Sequence, residues 1–476
     1  MNWLLPLQSV DVVGTAVSNV WILVVCFLIF FMQPGFALLE AGQVRAKNVS
    51  NVLMKNMTDW VLGLVVYFLV GISIATIVGA LTSDPSSLDI GAAFSQLGDT
   101  TASGWIGWFY SGVFAMTAVT IVSGAVAERM KFSSYVFLAA VFTGLIYPLA
   151  QGLTWSGGLL SAGGFLGQAI GVGYLDFAGA TVVHMVGGLG GLVAAKMVGP
   201  REGRYDSNGN SQPIPGHSMV FAVLGTLILA FGWYGFNVGT SGVIGAGDQL
   251  GRVLINTSLG MAGGALAAMA VSALWQGKPD PLWTANGLLA GLVAVTGAVP
   301  HVTWWGGLLL GIITGALVLP TFRWVVDSLK IDDVCGVFVV HGSSGAIGTI
   351  LIPVFGSAGS GAAASSAAGG WTFLGVDVLI MQVVGVLVLG TVTVIATMIT
   401  LGIAKAIWGL RVSDDEEEIG LDRGEHGVST YPEFGSERGR EAVGTDGGTR
   451  TDGGTDVRTD GGTTTDAASS TGGENE

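Results

Sequence analysis

The sequence predicts an all-α membrane protein with eleven transmembrane helices, arranged as an inverted five-helix repeat plus one extra helix. Only 11 % of the 476 residues are charged and half are hydrophobic, whereas about 25 % of the residues in soluble domains are charged. The mean hydropathy is +0.65. Apolar runs recur along the chain, and two stretches repeat one pattern around a histidine. We therefore expect a multi-pass protein of the cell membrane, embedded in the lipid bilayer.

Eleven runs of mostly apolar residues, each close to the length of about 20 that spans a bilayer, are bounded by polar, Gly, Pro or Asp clusters. They cover approximately residues 16–39, 58–81, 105–127, 132–152, 181–198, 218–237, 255–276, 283–299, 303–322, 334–355 and 377–409. The segment before the first run has no Lys or Arg and no separate apolar block, so it does not resemble a cleavable signal. We expect the first run to stay in the protein.

The basic residues fix an expected orientation. One set of alternate connections, with the start of the C-terminal segment, holds thirteen Lys and Arg residues, whereas the opposite set holds only Arg252. Basic residues accumulate on the cytoplasmic side of a membrane protein. The sequence therefore predicts an external N-terminus and a cytoplasmic C-terminus.

Two stretches share the pattern DxxGxxVVHxxxGxxG. The first contains Asp176 and His184, and the second contains Asp333 and His341. Runs one to five thus pair with runs six to ten, which gives repeat halves of about 16–198 and 218–355 and an eleventh helix of about 377–409. Because each half has five spans, the copies have opposite orientations. Each histidine should lie about 12 Å into its helix from opposite faces, so the two imidazoles should meet near the midplane.

Histidines inside a bilayer mark a path for ions or protons, although a buried His bound to a backbone carbonyl is the alternative. Asp176 and Asp333 each precede a helix, as N-caps do, and direct contact with a ligand is the second interpretation. No Cys, Asp or Glu has a spacing that would join the two histidines in a metal site. The chain also lacks a phosphate loop and a hydrolase triad. We expect no enzyme activity, no metal and no cofactor.

Aromatic residues cluster near the expected outer ends of runs three, four and six. They are Phe109, Tyr110, Phe114, Trp155, Trp233, Tyr234 and Phe236, with Thr240 just beyond. Ring faces and a hydroxyl could hold a small cation, but Trp and Tyr also collect at membrane interfaces without such a role. The residues alone leave both interpretations open.

The composition changes after Arg411. Residues 412–476 contain 17 acidic and 5 basic side chains, against 16 and 14 in residues 1–411, and TDGG recurs at 445, 451 and 459. The last thirty or so residues should be disordered because they cannot bury apolar surface. Such an acidic extension would suit a salt-rich cytoplasm and a halophilic source. The charge distribution argues against nucleic acid as a partner.

Six segments resemble, in order, the ammonium transporters of the Amt/Mep/Rh superfamily, over residues from about 15 to 431. The segments are FMQPGFALLEAGQVRAKNV, GAVAERMKFS, LDFAGATVVH, GWYGFNVGT, DDVCGVFVVHG and GLDRGEHGVSTY. The chain resembles the Amt branch of prokaryotes. The resemblance implies a homotrimer whose eleven-helix subunits, residues 1–411 here, each contain a narrow apolar pore.

The resemblance also assigns roles to residues. Phe114, Trp155 and Thr240 would form an outer recruitment site for ammonium or its analogue methylammonium, Phe114 and Phe236 the gate, and His184 and His341 the pore pair. Asp176 would hold the backbone near the outer site. Two positions depart from the family pattern, since Thr240 replaces a common Ser and Ala180 replaces a Gly, Ser or Cys.

The resemblance extends into the C-terminal tail. Residues 412–434 would form an ordered cytoplasmic regulatory segment that is contacted by PII-type signalling proteins, and residues 435–476 the disordered end. The matching tail residues are Gly420, Leu421, Asp422, Glu425, His426, Gly427 and Tyr431. The implied function is ammonium uptake, in which ammonia passes the histidines with net charge movement. An ammonium sensor, an electroneutral Rh-type gas channel and an intramembrane enzyme are the alternatives.

Overall fold

The computed structural model describes residues 10–98, 101–242, 249–358 and 370–434, and within these ranges the chain is helical, with isolated β-bridges and no named strand. The α-helices are α1 (Val10–Phe30), α2 (Met32–Gln43), α3 (Val49–Val66), α4 (Ile72–Leu81), α5 (Ile90–Ala93), α6 (Ala102–Val126), α7 (Phe132–Val141), α8 (Tyr147–Leu153), α9 (Phe165–Ile170), α10 (Val186–Val198), α11 (Met219–Thr240), α12 (Gln249–Gln276), α13 (Pro281–Thr296), α14 (Trp304–Arg323), α15 (Ser344–Ile350), α16 (Val376–Ile407), α17 (Asp414–Ile419) and α18 (Leu421–Gly424).

Five π-helical segments join or extend these helices. They are Tyr67–Gly71, Phe142–Ile146, Ala180–Met185, Trp324–Ser328 and Phe338–Ser343. Single π-helical turns are uncommon and often occur at functional sites. Two of them contain the repeat-related histidines.

Nine helical segments in the described ranges are long and apolar enough to cross a membrane. They are Val12–Gln43, Ala46–Leu81, Ala102–Val126, Phe132–Leu153, Ala180–Val198, Met219–Thr240, Gln249–Gln276, Trp304–Ser328 and Val376–Ile407. Each overlaps one of the expected runs. The first two are longer than expected. Val12–Gln43 joins α1 to α2, and Ala46–Leu81 joins α3, which begins at Val49, to α4.

The other two expected runs form shorter helices. The run at 283–299 is α13, with 16 residues, and the run at 334–355 contains the π-helical segment Phe338–Ser343 followed by α15. Most residues in both helices are buried. They lie largely within the helical body, so neighbouring helices can satisfy polar groups at their ends. The eleven-span count and the orientation stay predictions.

The two repeat segments have the same local structure. Gly179 and Gly336 precede the histidine-bearing π-helical segments with φ values of 101° and 68°, a left-handed conformation that favours glycine. Asp176 accepts hydrogen bonds from the N–H groups of Thr181 and Val182 at 3.0 and 2.9 Å. Asp333 accepts from Val337 and Phe338 at 2.9 and 2.8 Å. The Asp-x-x-Gly part of the repeat therefore forms the start of each histidine segment.

The histidine segments cross at close backbone contacts. A Cβ built on Gly188 would lie 2.3 Å from the amide nitrogen of Gly342, and one on Gly345 would lie 2.1 Å from the carbonyl oxygen of Ala180. Small residues allow helices in membranes to approach this closely. The crossing brings together residues 154 and 165 positions apart in the chain.

The described chain separates into two compact units, one through Thr430 and one from Tyr431. In the first unit, α17 starts at a capping box in which Ser413 and Glu416 bond each other's backbone N–H groups. In the second, Pro432–Phe434 forms a 3₁₀ turn. The predicted disordered segment, 435–476, lies outside the described residues.

We expect Gly345→Ala to lower the melting temperature of the detergent-purified protein strongly, because the new methyl group would overlap the carbonyl oxygen of Ala180. Gly402→Ala is the matched control, since nothing lies within 4 Å of a Cβ built there. Tryptophan fluorescence during heating measures both. Equal melting temperatures for the two variants would contradict the proposed tight crossing.

Candidate functional site

An aromatic cavity of about 290 Å³ lies at one end of the helical body. We call it the aromatic cavity; its lining residues are Tyr110, Ser111, Phe114, Tyr147, Gln151, Trp155, Phe177 and Thr240. The structure thus brings together Phe114, Trp155 and Thr240, the three residues that the resemblance assigns to one site. The rings of Phe114 and Trp155 meet edge to face, with centroids 6.0 Å apart.

Tyr110 supplies a hydroxyl to this cavity that the sequence interpretation did not assign. Its phenol oxygen lies 2.8 Å from Oγ1 of Thr240, which is also 2.8 Å from the carbonyl oxygen of Phe236. The single hydroxyl proton of Thr240 goes to that carbonyl, so Tyr110 donates to Thr240. The phenol oxygen keeps its lone pairs for another donor. Tyr110 entered the sequence interpretation only as one ring of the aromatic cluster; its position one helical turn before Phe114, on the same face of α6, is the sequence signal for a shared site.

A hydrogen bond to the segment that precedes His184 fixes the position of Trp155. Its indole Nε1 donates to the carbonyl oxygen of Asp176 at 2.8 Å. The carboxylate of the same Asp176 accepts from Gly179, Thr181 and Val182. One short segment therefore positions both an aromatic wall of the cavity and the start of the helix that contains His184.

The two predicted gate rings lie in contact below the aromatic cavity. Phe114 and Phe236 have centroids 4.4 Å apart and planes tilted by 41° rather than parallel. Phe114 is 3 % exposed and Phe236 is fully buried. The Phe236 ring also lies 5.3 Å from the ring of His184. The pair of phenyl rings therefore separates the aromatic cavity from the histidines.

His184 and His341 meet, as the repeat predicts. Their Nδ1 atoms are 3.2 Å apart and their ring planes differ by 22°. A hydrogen bond between two Nδ1 atoms requires one to donate and the other to accept, so the two neutral rings hold different tautomers. Nε2 of His184 has no hydrogen-bond partner among the described residues.

Apolar rings surround the histidine pair. The indole of Trp233 stacks on His184 with centroids 4.8 Å apart, and its Nε1 donates to Thr296 at 2.8 Å. Phe36 lies 6.2 Å from the ring of His341. Both histidines are buried, at 0 and 4 % exposure. A charged species at this position would exchange its hydration for very few polar contacts, at a high cost.

A second cavity, of about 390 Å³, lies where the segment before His341 begins. Its polar lining residues include Gln43, Arg201, Asn286 and Asp333. We call it the Gln43 cavity. Nε2 of Gln43 is buried without a hydrogen-bond partner among the described residues. The first cavity is next to the segment of His184 and the second is next to the segment of His341, so the histidine pair lies between them.

Buried ion pairs form the wall behind the Gln43 cavity. Glu128 pairs with Arg45 at 2.6 Å and Arg201 at 3.3 Å, and Asp332 pairs with Arg201 at 2.8 Å and Arg204 at 3.1 Å. Glu128 has φ of 72°, a strained conformation for a residue with a side chain.

These ion pairs determine the pKa values of the two acids. Burial alone would raise the pKa of Asp332, but the hydrogen bonds and charge of Arg201, with the charge of Arg129, hold it well below its usual value. Burial would likewise raise the pKa of Glu128, and Arg201 and Arg45 lower it instead. Both carboxylates therefore stay ionised at neutral pH.

The tail residues lie against the ends of helices in the same compact unit. Asp422 accepts from the N–H of Asn51 at 2.8 Å, and the N–H of Leu421 donates to Asn48 at 2.9 Å. Glu425 accepts from the N–H of Phe132 at 2.7 Å.

His426 extends this contact. The ring of His426 packs on that of Phe132 at 5.0 Å, and burial lowers the pKa of the His426 imidazole. Gly420 and Gly427 have φ values of 98° and 66°. Tyr431 belongs to the second compact unit. The tail therefore holds the starts of α3 and α7 in place.

Comparisons with known proteins agree with this arrangement. A profile of the Ammonium Transporter Family matches residues 20–431. The chain is 64 % identical over 467 residues to the ammonium transporter Amt1 of Haloferax mediterranei, covering 96 % of this chain and 87 % of that one. It is 41 % identical over 435 residues to the ammonium transporter Amt2 of Archaeoglobus fulgidus, covering 88 and 89 %.

Solved structures of similar fold also include Amt and Mep proteins. A sensor Amt protein is 30 % identical with a TM-score of 0.76, covering 87 % of this chain and 99 % of that one. Candida albicans Mep2 is 26 % identical with a TM-score of 0.73, covering 88 and 92 %. The family match confirms the resemblance drawn from the sequence motifs, and with the nine apolar helices in the described ranges it makes this a multi-pass integral membrane protein.

We expect Asp332→Asn to destabilise the protein by about 3–5 kcal/mol at pH 7, because it breaks a buried ion pair and leaves Arg201 without a full countercharge. The folded pKa of Asp332 lies below its unfolded value of about 3.9. Its contribution is therefore present above that value and is lost as the pH falls toward the folded pKa. Thermal unfolding in detergent between pH 7 and pH 3 should show the difference between wild type and variant shrinking below about pH 4.

The neighbouring Glu202 provides the control, because it is exposed and its hydrogen bond to Glu417 comes from its backbone N–H rather than from its carboxylate. Glu202→Gln should melt close to wild type throughout. A difference for Asp332→Asn that stays constant down to pH 3 would contradict the assignment of an ionised, paired Asp332.

Proposed function

We propose, from the premise that this chain belongs to the Ammonium Transporter Family, that it takes ammonium into the cytoplasm by conducting ammonia past His184 and His341. The single observation that carries the proposal is the bonded histidine pair between two cavities, with Nδ1 atoms 3.2 Å apart. In this proposal the subunit has eleven spans, with the N-terminus and the aromatic cavity outside. The C-terminus and the Gln43 cavity are then cytoplasmic.

The aromatic cavity recruits ammonium. Ammonium carries four N–H donors and one positive charge, so its binding requires both ring faces and oxygen acceptors. Phe114 and Trp155 supply the ring faces, which attract cations. Thr240 and Tyr110 supply oxygens, and Tyr110 already orients the Thr240 hydroxyl. Together they offset part of the hydration that ammonium loses at the mouth, and methylammonium would bind as an analogue.

The gate and pore favour the neutral molecule. Beyond Phe114 and Phe236 the surroundings are mostly aromatic and apolar, so desolvation disfavours ammonium relative to ammonia and lowers the pKa of the bound ion. Sodium and potassium cannot lose their charge by releasing a proton. The apolar region therefore rejects them while it admits ammonia.

The histidine pair supplies a proton route beside the ammonia route. One imidazole donates to the other at Nδ1, so the two rings form a short hydrogen-bonded chain. A proton released at the outer site can cross this chain while ammonia moves past it, and both recombine at the Gln43 cavity. Transport by this route moves one net charge for each ammonium.

The contacts of the tail support a regulatory role for residues 412–434. Asp422, Glu425 and His426 bond the starts of α3 and α7. A protein that displaced this segment would release both helix ends. By family resemblance the functional unit is a homotrimer and the displacing protein is of the PII type; failure of the purified trimer to bind PII with or without 2-oxoglutarate would count against that partner.

One observation favours a second function. A solved structure of similar fold is described as a sensor Amt protein, so this chain could bind ammonium at the same site for signalling and transport little. An electroneutral channel of the Rh type is the other alternative. An electroneutral channel would raise the internal pH without moving net charge, and a sensor would do neither.

We expect an ammonium jump to produce a transient current in proteoliposomes on a solid-supported membrane, and sodium or potassium jumps to produce none. His184→Ala and His341→Ala should each abolish that current or let potassium through, because each removes one member of the proton route. His217→Ala is the histidine control, since His217 lies at the start of α11 and lines neither cavity.

The outcomes distinguish the proposed transporter from an electroneutral channel and from a sensor. No wild-type current with alkalinisation of the vesicle lumen would indicate an electroneutral channel. Neither signal would favour the sensor. Unchanged currents in both histidine variants would remove the imidazoles from the mechanism.

We expect Tyr110→Phe to raise the half-saturating ammonium concentration about fivefold, since one hydrogen bond contributes about 1 kcal/mol. The maximal current should change less, because the pore beyond the gate is untouched. Tyr234→Phe is the control; its hydroxyl pairs with Ser258 at 2.9 Å, away from both cavities. Equal half-saturation in wild type and Tyr110→Phe would show that the phenol oxygen does not contact ammonium.

A further inference from the structure

An apolar groove of about 460 Å³ runs along the outside of the histidine-bearing segments, between α10, α15 and α16. We call it the α16 groove. Met185 and Leu189 line it on one side and Phe338 and Gly342 on the second. Helix α16 closes the third side with six residues of one helical face: Val386, Leu387, Gly390, Thr391, Val394 and Ile395. It is separate from both cavities of the transport site.

The α16 groove lies at the middle of a membrane span. Helix α16 has 32 residues, from Val376 to Ile407, and Gly390 and Thr391 are at its centre. A helix of that length crosses a hydrocarbon core about 30 Å thick with several residues to spare at each end. Leu387 and Ile395, on the rim of the groove, are 63 and 53 % exposed. The groove therefore opens toward the hydrocarbon interior of the bilayer.

The chemistry of the groove selects its occupant. A water molecule in a cavity needs two to four polar partners, and the lining is aliphatic and aromatic apart from two hydroxyls. The Ser343 hydroxyl already donates to the carbonyl oxygen of Val339 at 2.8 Å. An extended peptide segment would bring backbone polar groups that nothing there could satisfy. A flexible hydrocarbon chain needs no polar partners, so it suits this lining better than water or a peptide.

We propose that the α16 groove binds one hydrocarbon chain of a membrane lipid, which packs against the backs of the two histidine-bearing segments. Met185 directly follows His184, and Gly342 directly follows His341. The opposite sides of these segments are already in contact, since Gly188 reaches the backbone of Gly342. A chain in the groove fills the remaining side of the crossing, so that the crossing is packed on both sides.

The test uses a phospholipid with a photoreactive diazirine near the middle of one chain, incorporated into proteoliposomes with the full-length protein. Illumination followed by peptide mass spectrometry locates the labelled residues. We expect labelling concentrated on the lining residues of α10 and α16. In detergent, labelling there should saturate as the probe is titrated, while labelling of Ile399 and Ile403, exposed on α16 beyond the groove, should rise linearly.

A matched pair of variants completes the test. A Cβ on Gly390 would meet only Leu189, at an ordinary 3.4 Å, whereas nothing lies within 4 Å of a Cβ on Gly402 of the same helix. Gly390→Phe should fill the groove and reduce its labelling at least fivefold, and Gly402→Phe should leave it unchanged. If Gly390→Phe does not fold, Gly390→Leu replaces it, and the wild-type titration is interpretable without either.

Three results would overturn the proposal. Linear labelling at the groove would mean bulk lipid contact without a site. Equal labelling in the two phenylalanine variants would place the chain elsewhere. Disulfide-linked dimers of Leu387→Cys would show that a second copy covers the groove. None of these measurements requires ammonium, so the inference stands or fails independently of the proposed transport.

Discussion

The backbone contact between the two histidine-bearing segments is the constraint on which the rest of the structure depends. Gly188 and Gly345 remove the side chains that would otherwise separate the crossing. Only at that separation do the Nδ1 atoms of His184 and His341 come within 3.2 Å. The π-helical turns contribute by adding a residue to each segment, which changes the direction in which each histidine points relative to a regular helix. The gate rings and both cavities are then arranged around a fixed pair.

The sequence predicted this centre well because its determinants are local and repeated. An Asp that caps, a Gly with positive φ and a His at a fixed distance occur twice, so the pattern around Asp176 carries the same structural meaning as that around Asp333. The sequence predicted the lengths of the helices less well. The runs at 283–299 and 334–355 are apolar because neighbouring helices bury them, and hydropathy does not distinguish that burial from contact with lipid.

Contacts between distant parts of the chain account for what the sequence did not reveal. The bond from Tyr110 to Thr240 joins residues 130 positions apart, and the pairs of Arg201 with Glu128 and Asp332 join three separate loops. Arg201 entered the orientation argument only as a positive charge, and Glu128 and Asp332 were not used in it. Buried ion pairs and the tail hold the ends of helices, whereas small residues and aromatic rings shape the interior.

The hydrogen bond between the histidines has a direction. One ring is the donor and its partner is the acceptor, so the pair has two arrangements that are not equivalent. A proton that travels along it leaves each imidazole in the opposite tautomer, and the chain then points the wrong way for a second proton in the same direction. Rotation about the Cβ–Cγ bond does not restore it, because that rotation does not exchange Nδ1 with Nε2, and the indole of Trp233, stacked on His184 with ring centroids 4.8 Å apart, resists such a rotation. In the proposed proton route, a further proton exchange must therefore return both rings to their starting tautomers after each transfer, and this resetting step, rather than the passage of ammonia, would set the pace of charge movement.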